Sequence, residues 1–361
     1  MIPAYHPLRV AEITRRAGDA VSLTFEVPAS LREHYRYRPG QHLNLRLRLE
    51  GAEVRRSYSL HGCPVLGEPP MITVRRVPGG RASNAINDAL RVGDTVEATP
   101  PTGSFGPDLD PAAYRQYVLV GAGSGITPLY SILRSVLHAE RHSFVDLLYG
   151  NRSRSTALFA DDLDALRDRF PHRLRVQHTF SRPGWSSLWR PGRGAWHGRI
   201  EGPLLRRFVD AYPPRAQTTE YYVCGPGAMN TAVRDELVRL GVPPPLVHVE
   251  HYGLPAATTE APPTIGTVDA CLVAHLHGRR AEVRVPAGDT VLDALRREGY
   301  DPPYSCESGV CSTCKARVTR GAVQMRASMA LSESEIDRGY ALTCQALPTT
   351  ESVEVTYEVP R

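Results

Sequence analysis

The chain has 361 residues, too long for one average domain, so two or three are expected. The net charge of +5 could suggest a nucleic-acid partner, but Lys315 is the only lysine and the arginines form no dense runs, so none is indicated. No run of about 18 apolar residues and no N-terminal leader pattern occur, which predicts a cytoplasmic protein without membrane spans.

The region from Val21 to about Pro101 predicts antiparallel strands. Short runs of alternating apolar and polar residues are interrupted there by glycine and proline, as at residues 37–41 and 77–80. This punctuation is typical of a small antiparallel β-barrel. We assign residues 1–110 to this first domain.

After Pro111 the pattern changes to strands that alternate with helices. Apolar strands are predicted at residues 117–120, 143–149, 174–180 and 221–224, and the helices between them have apolar residues on one face. Because strand–helix alternation implies a parallel sheet, we assign residues 111–253 to an α/β domain.

The segment 254–266 is rich in proline and small residues and has no apolar period, which predicts an interdomain linker. Beyond it, two strands at residues 270–276 and 281–285 and a helix at 291–297 precede a loop rich in cysteine. Residues 267–361 form the third predicted domain.

Four of the seven cysteines fall in this last domain, at Cys306, Cys311, Cys314 and Cys344. Their spacing, C-x4-C-x2-C followed by 29 residues, is that of a plant-type 2Fe-2S cluster held by four thiolates. Gly309 supplies a tight turn, and the loop's amide N–H groups can donate to the cluster sulfurs. A structural zinc site is the alternative, although zinc sites usually pair two short cysteine knuckles.

The run from Cys306 to Cys314 resembles the cluster loop of plant-type ferredoxins, and the resemblance covers nearly all of residues 267–361. It implies an α+β fold of the β-grasp type for this domain.

Two glycine turns lie between a predicted strand and a predicted helix. The first contains Gly121, Gly123, Gly125 and Thr127, and the second contains Cys224, Gly225 and Pro226. Backbone amides and the helix dipole at such turns can bind a pyrophosphate. Ile126 stands where the Rossmann fingerprint has its third glycine, so for the first turn alone a plain strand–helix connection is the alternative.

With the sequence Arg56-Ser57-Tyr58-Ser59, these turns make residues 8–253 resemble the ferredoxin–NADP reductase family. That family joins a flavin-binding β-barrel to a nicotinamide-binding α/β domain. The resemblance implies flavin contacts from Arg56 on the phosphate, Tyr58 against the isoalloxazine ring and Ser59 near N5. Further implied flavin contacts are Gly80, Ser83, Gly103 and Tyr252.

The same resemblance implies that Ser59, Cys224 and Glu250 are catalytic, with Cys224 beside the reacting carbon of the nicotinamide. A buried cysteine at a strand end is the ordinary interpretation of Cys224. The barrel loops favour FAD, although relatives with this domain order also use FMN.

Residues Arg152, Ser181 and Arg182 favour NADPH over NADH. NAD sites place an acidic residue after the second strand, but the first acid there is Asp161, whereas arginine suits the 2′-phosphate. Ser181 and Arg182 resemble the pair that binds this phosphate in NADPH-dependent family members. NADH remains possible, since exposed arginines are most often only solvated.

Hydride carries two electrons and a 2Fe-2S cluster accepts one, so the domain order suits a reductase with a flavin between the two. The whole chain resembles reductase components of multicomponent oxygenases. Residues 314–316 and 339–345 resemble the phenylacetyl-CoA epoxidase type, which serves a di-iron oxygenase. Residues 82–84 and 352–358 resemble the 3-ketosteroid 9α-hydroxylase type, which serves a Rieske oxygenase. Two further hypotheses are a stand-alone NAD(P)H oxidase or diaphorase and a redox sensor.

Overall fold

The computed structural model describes residues 4–182, 194–252 and 267–358. The chain forms two compact units, and the larger comprises His6–Val54 and Tyr58–Tyr252. The smaller contains the C-terminal residues from 267 onward. The linker predicted at residues 254–266 lies outside the described residues.

The first domain is an antiparallel β-barrel, as the sequence predicts. Its strands are β1 (His6–Arg16), β2 (Ala20–Glu26), β3 (His42–Leu49), β4 (Ala52–Ser59), β5 (Met71–Arg75) and β6 (Thr95–Ala98). They lie in the order β4-β3-β6-β1-β2-β5. Leu60 follows β4 directly and pairs with Ile72 of β5, so the two edge strands meet and the sheet closes.

Two elements of the barrel differ from the sequence prediction. Strand β1 precedes the predicted start of the β region, because its outward residues are mostly charged and only Leu8 and Val10 are fully buried. A helix, α1 (Arg81–Asp88), follows β5, where the sequence indicated only a phosphate-binding turn. Gly80 is the N-cap of this helix.

The second domain has a six-stranded parallel sheet in the order β10-β9-β8-β7-β11-β12. The strands are β7 (Arg115–Ala122), β8 (Phe144–Asn151), β9 (Leu174–Phe180), β10 (Trp196–His197), β11 (Thr218–Gly225) and β12 (Val247–His251). The described helices are α2 (Ile126–Ala139), α3 (Ala160–Arg169), α4 (Gly202–Ala211) and α5 (Gly227–Arg239).

Helices cover both faces of this sheet. Leu119 and Leu147 pack with α2 and α3, whereas Val118, Val120 and Leu148 pack with α4 and α5. Strands buried on both faces become continuous apolar runs, which is why the sequence shows them clearly. The carboxyl ends of β7, β8, β9 and β11 therefore carry the loops that can bind a nucleotide.

The third domain has an α+β fold. Its strands are β13 (Ala270–Leu276), β14 (Arg279–Val285), β15 (Lys315–Arg320), β16 (Val323–Met325), β17 (Tyr340–Leu342), β18 (Ala346–Pro348) and β19 (Ser352–Thr356), and its helices are α6 (Val291–Arg297) and α7 (Glu333–Asp337). The five-stranded sheet has the order β14-β13-β19-β15-β17, and β16 pairs with β18. Helix α6 packs against the apolar face of the five-stranded sheet.

Among the described residues, no helix has the length and apolar character needed to cross a membrane.

Candidate functional site

A cluster of polar side chains forms where the barrel meets the nucleotide domain. The Ser59 Oγ, at the end of β4, donates a hydrogen bond to the Glu250 Oε2 of β12 at 3.0 Å. The Tyr252 hydroxyl donates to the Ser59 Oγ at 2.8 Å and lies 3.0 Å from the Thr127 Oγ1. Four residues with sequence-predicted roles thus contact one another.

Cys224 joins this cluster through the strand register. The parallel pairing of β11 with β12 aligns Cys224 with Glu250, and the Cys224 Sγ lies 3.9 Å from the Glu250 Oε2. The Cys224 side chain is completely buried, and this burial raises the pKa of its thiol. The sulfur is therefore a neutral thiol.

The Glu250 carboxyl has an unusual pKa. The residue as a whole is half-buried, but Ser59, Cys224 and Tyr252 enclose the carboxyl group itself. Burial raises its pKa to about 8, against the hydrogen bonds from those three residues, which lower it. Glu250 can therefore hold a proton near neutral pH.

The Tyr252 side chain has one buried end and one open end. Its hydroxyl is enclosed by Ser59 and Thr127, and burial raises the pKa of that hydroxyl. The residue nevertheless exposes 42% of its surface. An open aromatic ring beside the Ser59–Glu250 pair leaves a flat apolar surface on which another ring can stack.

The first glycine turn needs glycine partly because the second turn packs directly against it. A Cβ on Gly125 would lie 2.2 Å from the carbonyl oxygen of Cys224, so only glycine lets the two loops approach this closely. At Gly121 a Cβ would lie 2.6 Å from a methyl carbon of Leu129, so that side chain would have to shift. Gly123 has φ +58° and leads directly into α2.

The second turn is similarly crowded. A Cβ on Gly225 would lie 2.6 Å from the terminal carbon of Met229 and 3.2 Å from the Ala122 nitrogen. Pro226 is the N-cap of α5. The turns of β7 and β11 therefore pack against each other at the carboxyl edge of the sheet.

Arg75 is a candidate that the sequence analysis missed. It ends barrel strand β5, its Nη2 donates to the Thr156 carbonyl at 2.6 Å, and a Cβ on Gly123 would lie 3.2 Å from its Nη1. Burial lowers the pKa of Arg75, as does the nearby charge of Arg152. Among the described residues it has no carboxylate partner. No local motif marks it, because only the tertiary fold brings a barrel arginine to this turn.

The arginines predicted to select NADPH lie side by side. The Ser181 nitrogen donates to the Asn151 carbonyl at 2.9 Å, and the Arg182 nitrogen donates to the Arg152 carbonyl at 2.8 Å. These bonds extend the β8–β9 pairing past both strand ends. Arg152 and Arg182 are exposed, whereas Arg154 is bound to Asp161 and Asp164.

The remaining predicted flavin residues lie in the barrel. Arg56 is exposed on β4, and Tyr58 packs against the barrel core. The Ser83 Oγ, in the first turn of α1, accepts a bond from the Val77 nitrogen at 3.1 Å and donates to the Gly80 carbonyl. Gly103 has φ +109°, and a Cβ there would lie 3.0 Å from the His42 Nδ1.

The four clustered cysteines form two pairs. The Cys314 Sγ lies 3.3 Å from the Cys344 Sγ, and the Cys306 thiol interacts with Cys311, which lowers the pKa of Cys306. A 2Fe-2S cluster has two irons, each with two protein ligands, so two thiol pairs suit it. Within residues 4–182, 194–252 and 267–358, no group of three or more His, Cys, Asp or Glu side chains is placed so that it could hold a single metal ion.

The cysteine loop has the tight turn predicted at Gly309 and two further residues with a left-handed backbone conformation. Gly309 has φ +75°, and a Cβ there would lie 3.1 Å from the Ala327 carbonyl oxygen. Glu307 and Ser312 also have positive φ, at 54° and 51°. The Ser308 nitrogen donates to the Cys306 Sγ at 3.4 Å, so a loop amide does reach a ligand sulfur.

Three domain families match the chain in order. Residues 7–106 match the oxidoreductase FAD-binding domain, residues 119–235 the oxidoreductase NAD-binding domain, and residues 274–349 the 2Fe-2S iron-sulfur cluster binding domain. Together with the fold, these matches define a flavin-dependent reductase that transfers electrons from NAD(P)H through FAD to a 2Fe-2S cluster.

Full-length relatives narrow the assignment. The chain is 37% identical to one of the subunits of 1,2-phenylacetyl-CoA epoxidase from Escherichia coli, with 98% of each chain covered. It is 34% identical to the ferredoxin reductase component of 3-ketosteroid-9-alpha-monooxygenase from Rhodococcus rhodochrous, over 97% of this chain and 96% of that one. The chain therefore belongs to the ferredoxin–NADP reductase family, in the branch that carries a C-terminal plant-type ferredoxin domain.

A solved structure has the same fold over its whole length. Phthalate dioxygenase reductase matches with a TM-score of 0.57 and 24% identity, over 98% of both chains. This confirms the predicted order of barrel, parallel α/β domain and ferredoxin domain.

Proposed function

We propose that this chain is the NADPH-dependent reductase component of a multicomponent oxygenase of the phenylacetyl-CoA epoxidase type. The observation that carries the catalytic part is the meeting of Ser59, Cys224 and Glu250 at the junction of the flavin and nucleotide domains. The full-length similarity to a phenylacetyl-CoA epoxidase component supports the choice of partner.

The residues at this junction suit hydride transfer. FAD bound at this junction would supply the step between the two-electron hydride donor and the one-electron 2Fe-2S cluster. Ser59 presents its hydroxyl to the flavin near N5, and Glu250 keeps a proton next to that hydroxyl. Cys224 supplies a small neutral side chain beside the nicotinamide, and the open ring of Tyr252 covers the flavin.

Other barrel residues hold the flavin. Arg56 would pair with its phosphate; the Arg56 Nη1 now donates to the Arg55 carbonyl at 2.7 Å, and the side chain is exposed. The first turn of α1, from Gly80 to Ser83, provides a helix N-terminus for the same anion. Tyr58 and Gly103 complete the predicted flavin contacts.

The nucleotide would be bound by the two glycine turns, by Arg75 and by the loops of Arg152 and Arg182. The turn from Gly121 to Thr127 and the loop of Gly225 and Pro226 receive the pyrophosphate, and Arg75 neutralises it from the barrel side. Arg152 and Arg182, with Ser181, form a fork for the 2′-phosphate. This pair is our reason for preferring NADPH to NADH.

Cys306 and Cys311 would bind one iron of the cluster, and Cys314 and Cys344 would bind the other. The Cys314 and Cys344 sulfurs already lie 3.3 Å apart, and Gly309 allows the loop to fold over the cysteines. Since the Ser308 amide already donates to a ligand sulfur, the loop also influences the charge that the cluster can carry. The cytoplasmic location remains a prediction.

Reconstitution with an oxygenase tests the partner. The purified protein and NADPH are combined with the oxygenase subunits of a phenylacetyl-CoA epoxidase, and product formation is measured. A parallel assay uses the Rieske oxygenase of a 3-ketosteroid 9α-hydroxylase, because that relative is nearly as similar. Product only in the second assay would refute the epoxidase assignment.

Artificial electron acceptors distinguish a reductase component from an oxidase and from a sensor. Rapid reduction of ferricyanide and cytochrome c with slow oxygen consumption is expected of a reductase component. Rapid oxygen consumption would instead indicate an oxidase, and no NAD(P)H turnover would indicate a redox sensor.

A further inference from the structure

Asn230 connects the Cys224 loop to the strand that carries Glu250. It lies in the first turn of α5 and is completely buried. Its Nδ2 donates to the main-chain carbonyl of Glu250 at 2.9 Å and lies 3.4 Å from the His251 Nδ1. Its own backbone nitrogen donates to the Pro226 carbonyl at 3.0 Å. Asn230 therefore contacts both segments, the Glu250 strand through its side chain and the Cys224 loop through its backbone.

The backbone around Glu250 has few other restraints. Strand β12 is the edge strand of the sheet, only five residues long, and none of its residues is fully buried. Its ladder with β11 ends at the pairs Cys224–Glu250 and Gly225–His251. Carbonyls on the outer side of an edge strand have no strand partner. The Asn230 Nδ2 donates to the main-chain carbonyl of Glu250, the residue whose carboxyl must meet Ser59.

We propose that Asn230 is a positioning residue for hydride transfer, acting through Glu250. By fixing the Glu250 main chain, it sets the carboxyl at 3.0 Å from the Ser59 Oγ and alongside Cys224. Catalytic groups need placement within roughly 0.5 Å, and a displacement of about 1 Å can cost about 10²-fold in rate. This inference rests on the proposed catalytic role of Glu250.

Two substitutions test it in the full-length protein loaded with FAD and the cluster. Asn230→Leu removes the donor at similar volume, and Asn230→Ala removes it without adding bulk. Thr231→Ala is the matched control, because Thr231 is exposed on the same helical turn and its hydroxyl donates to the Gly227 carbonyl of its own helix. FAD content, iron content and the thermal midpoint report folding.

The informative measurements separate rate from binding. Anaerobic stopped-flow reduction by NADPH gives the limiting rate of flavin reduction, and difference spectra give the Kd for NADP⁺. Both Asn230 variants are expected to lower the limiting rate by about tenfold or more, with a Kd change of less than about threefold. In a Glu250→Gln background, substituting Asn230 should lower the limiting rate by a further factor of less than about two, because both changes act on the Glu250 side chain.

Other outcomes would overturn either the role inferred for Asn230 or the catalytic role of Glu250. Variants that reduce flavin at the wild-type rate, while Glu250→Gln is slow, would overturn the inference and leave the proposed function intact. A normal rate for Glu250→Gln would instead refute the catalytic role of Glu250. Equal losses in both backgrounds, or loss of FAD from both Asn230 variants, would show that Asn230 acts on folding or by another route, and would also overturn the inference.

Discussion

The Oγ of Ser59 donates to the carboxylate of Glu250 at 3.0 Å although 191 residues separate them in the sequence. Ser59 ends a barrel strand, and Glu250 lies on the edge strand of the nucleotide sheet. The contact thus forms only when both domains are folded and docked. Since Cys224 and Tyr252 enclose the same carboxyl, substitutions at this junction should affect several of these contacts at once.

Glu250→Gln should weaken the pH dependence of stability. The folded pKa is raised to about 8 from 4.5, so the folded protein holds this proton more tightly than the unfolded chain. The resulting stabilisation is complete below the unfolded pKa and is lost as the pH rises through about 8. Thermal midpoints at about pH 6 and about pH 9 should therefore differ more for the wild type than for the variant.

The control for this experiment is Glu351→Gln, at an exposed glutamate of the ferredoxin domain. It should keep the wild-type difference between the two pH values. Equal differences in all three proteins would show that Glu250 ionises normally.

Gly125→Ala should disrupt the site by steric overlap. A Cβ there would lie 2.2 Å from the Cys224 carbonyl oxygen and 2.8 Å from the Gly225 nitrogen, both backbone atoms that cannot move away independently. We expect a loss of about 1–3 kcal/mol in stability and slow flavin reduction by NADPH. Ser124→Ala, in the same turn, should keep the wild-type thermal midpoint. A fully stable Gly125→Ala protein would contradict the close approach of the two loops.

Arg182→Ala should change the nucleotide preference. If Arg152 and Arg182 bind the 2′-phosphate as proposed, removing Arg182 takes away a charge-assisted contact of about 1.5–3 kcal/mol. The KM for NADPH should then rise by about tenfold or more, while the KM for NADH changes little. Arg154→Ala is the control, since that arginine is engaged by Asp161 and Asp164. Equal effects on NADPH and NADH would remove the argument for NADPH.

Ser312→Gly should stabilise the cluster loop. Ser312 has φ 51°, a left-handed conformation that costs a non-glycine residue roughly 1–2 kcal/mol. Part of this gain is lost to the greater freedom of glycine in the unfolded chain, which leaves about 1 kcal/mol or less. Cluster loss in urea, followed by visible absorption, should occur at higher urea concentration. Ser308→Gly, where φ is not positive, should shift it the other way.

Cys344→Ser should remove the cluster and spare the flavin. Cys344 pairs with Cys314 at 3.3 Å, so its loss leaves one iron a ligand short. We expect NADPH–ferricyanide activity to persist and reduction of cytochrome c to fall strongly. Cys271→Ser, at an exposed cysteine on β13, should retain full iron and sulfide content. Zinc in place of iron and sulfide in the wild-type protein would refute the cluster assignment.

Local signals in the sequence were sufficient for the architecture. The parallel strands stand out because both of their faces are buried, and the cysteine spacing is a covalent property of one loop. Strand β1 and helix α1 were less visible, because the outward face of β1 is charged and α1 has only two turns. Elements with one narrow buried face leave a weak pattern.

The sequence alone determined the domain order, the class of reductase and the candidate residues Ser59, Cys224 and Glu250. Only the tertiary structure placed Arg75 against the Gly123 turn, set the Gly125–Cys224 approach and put the Asn230 amide on the Glu250 carbonyl. These relationships join segments far apart in the chain and depend on distances of a few ångströms between backbone atoms. Residue type and spacing along the chain do not determine such distances, so these contacts could be identified only in the folded structure.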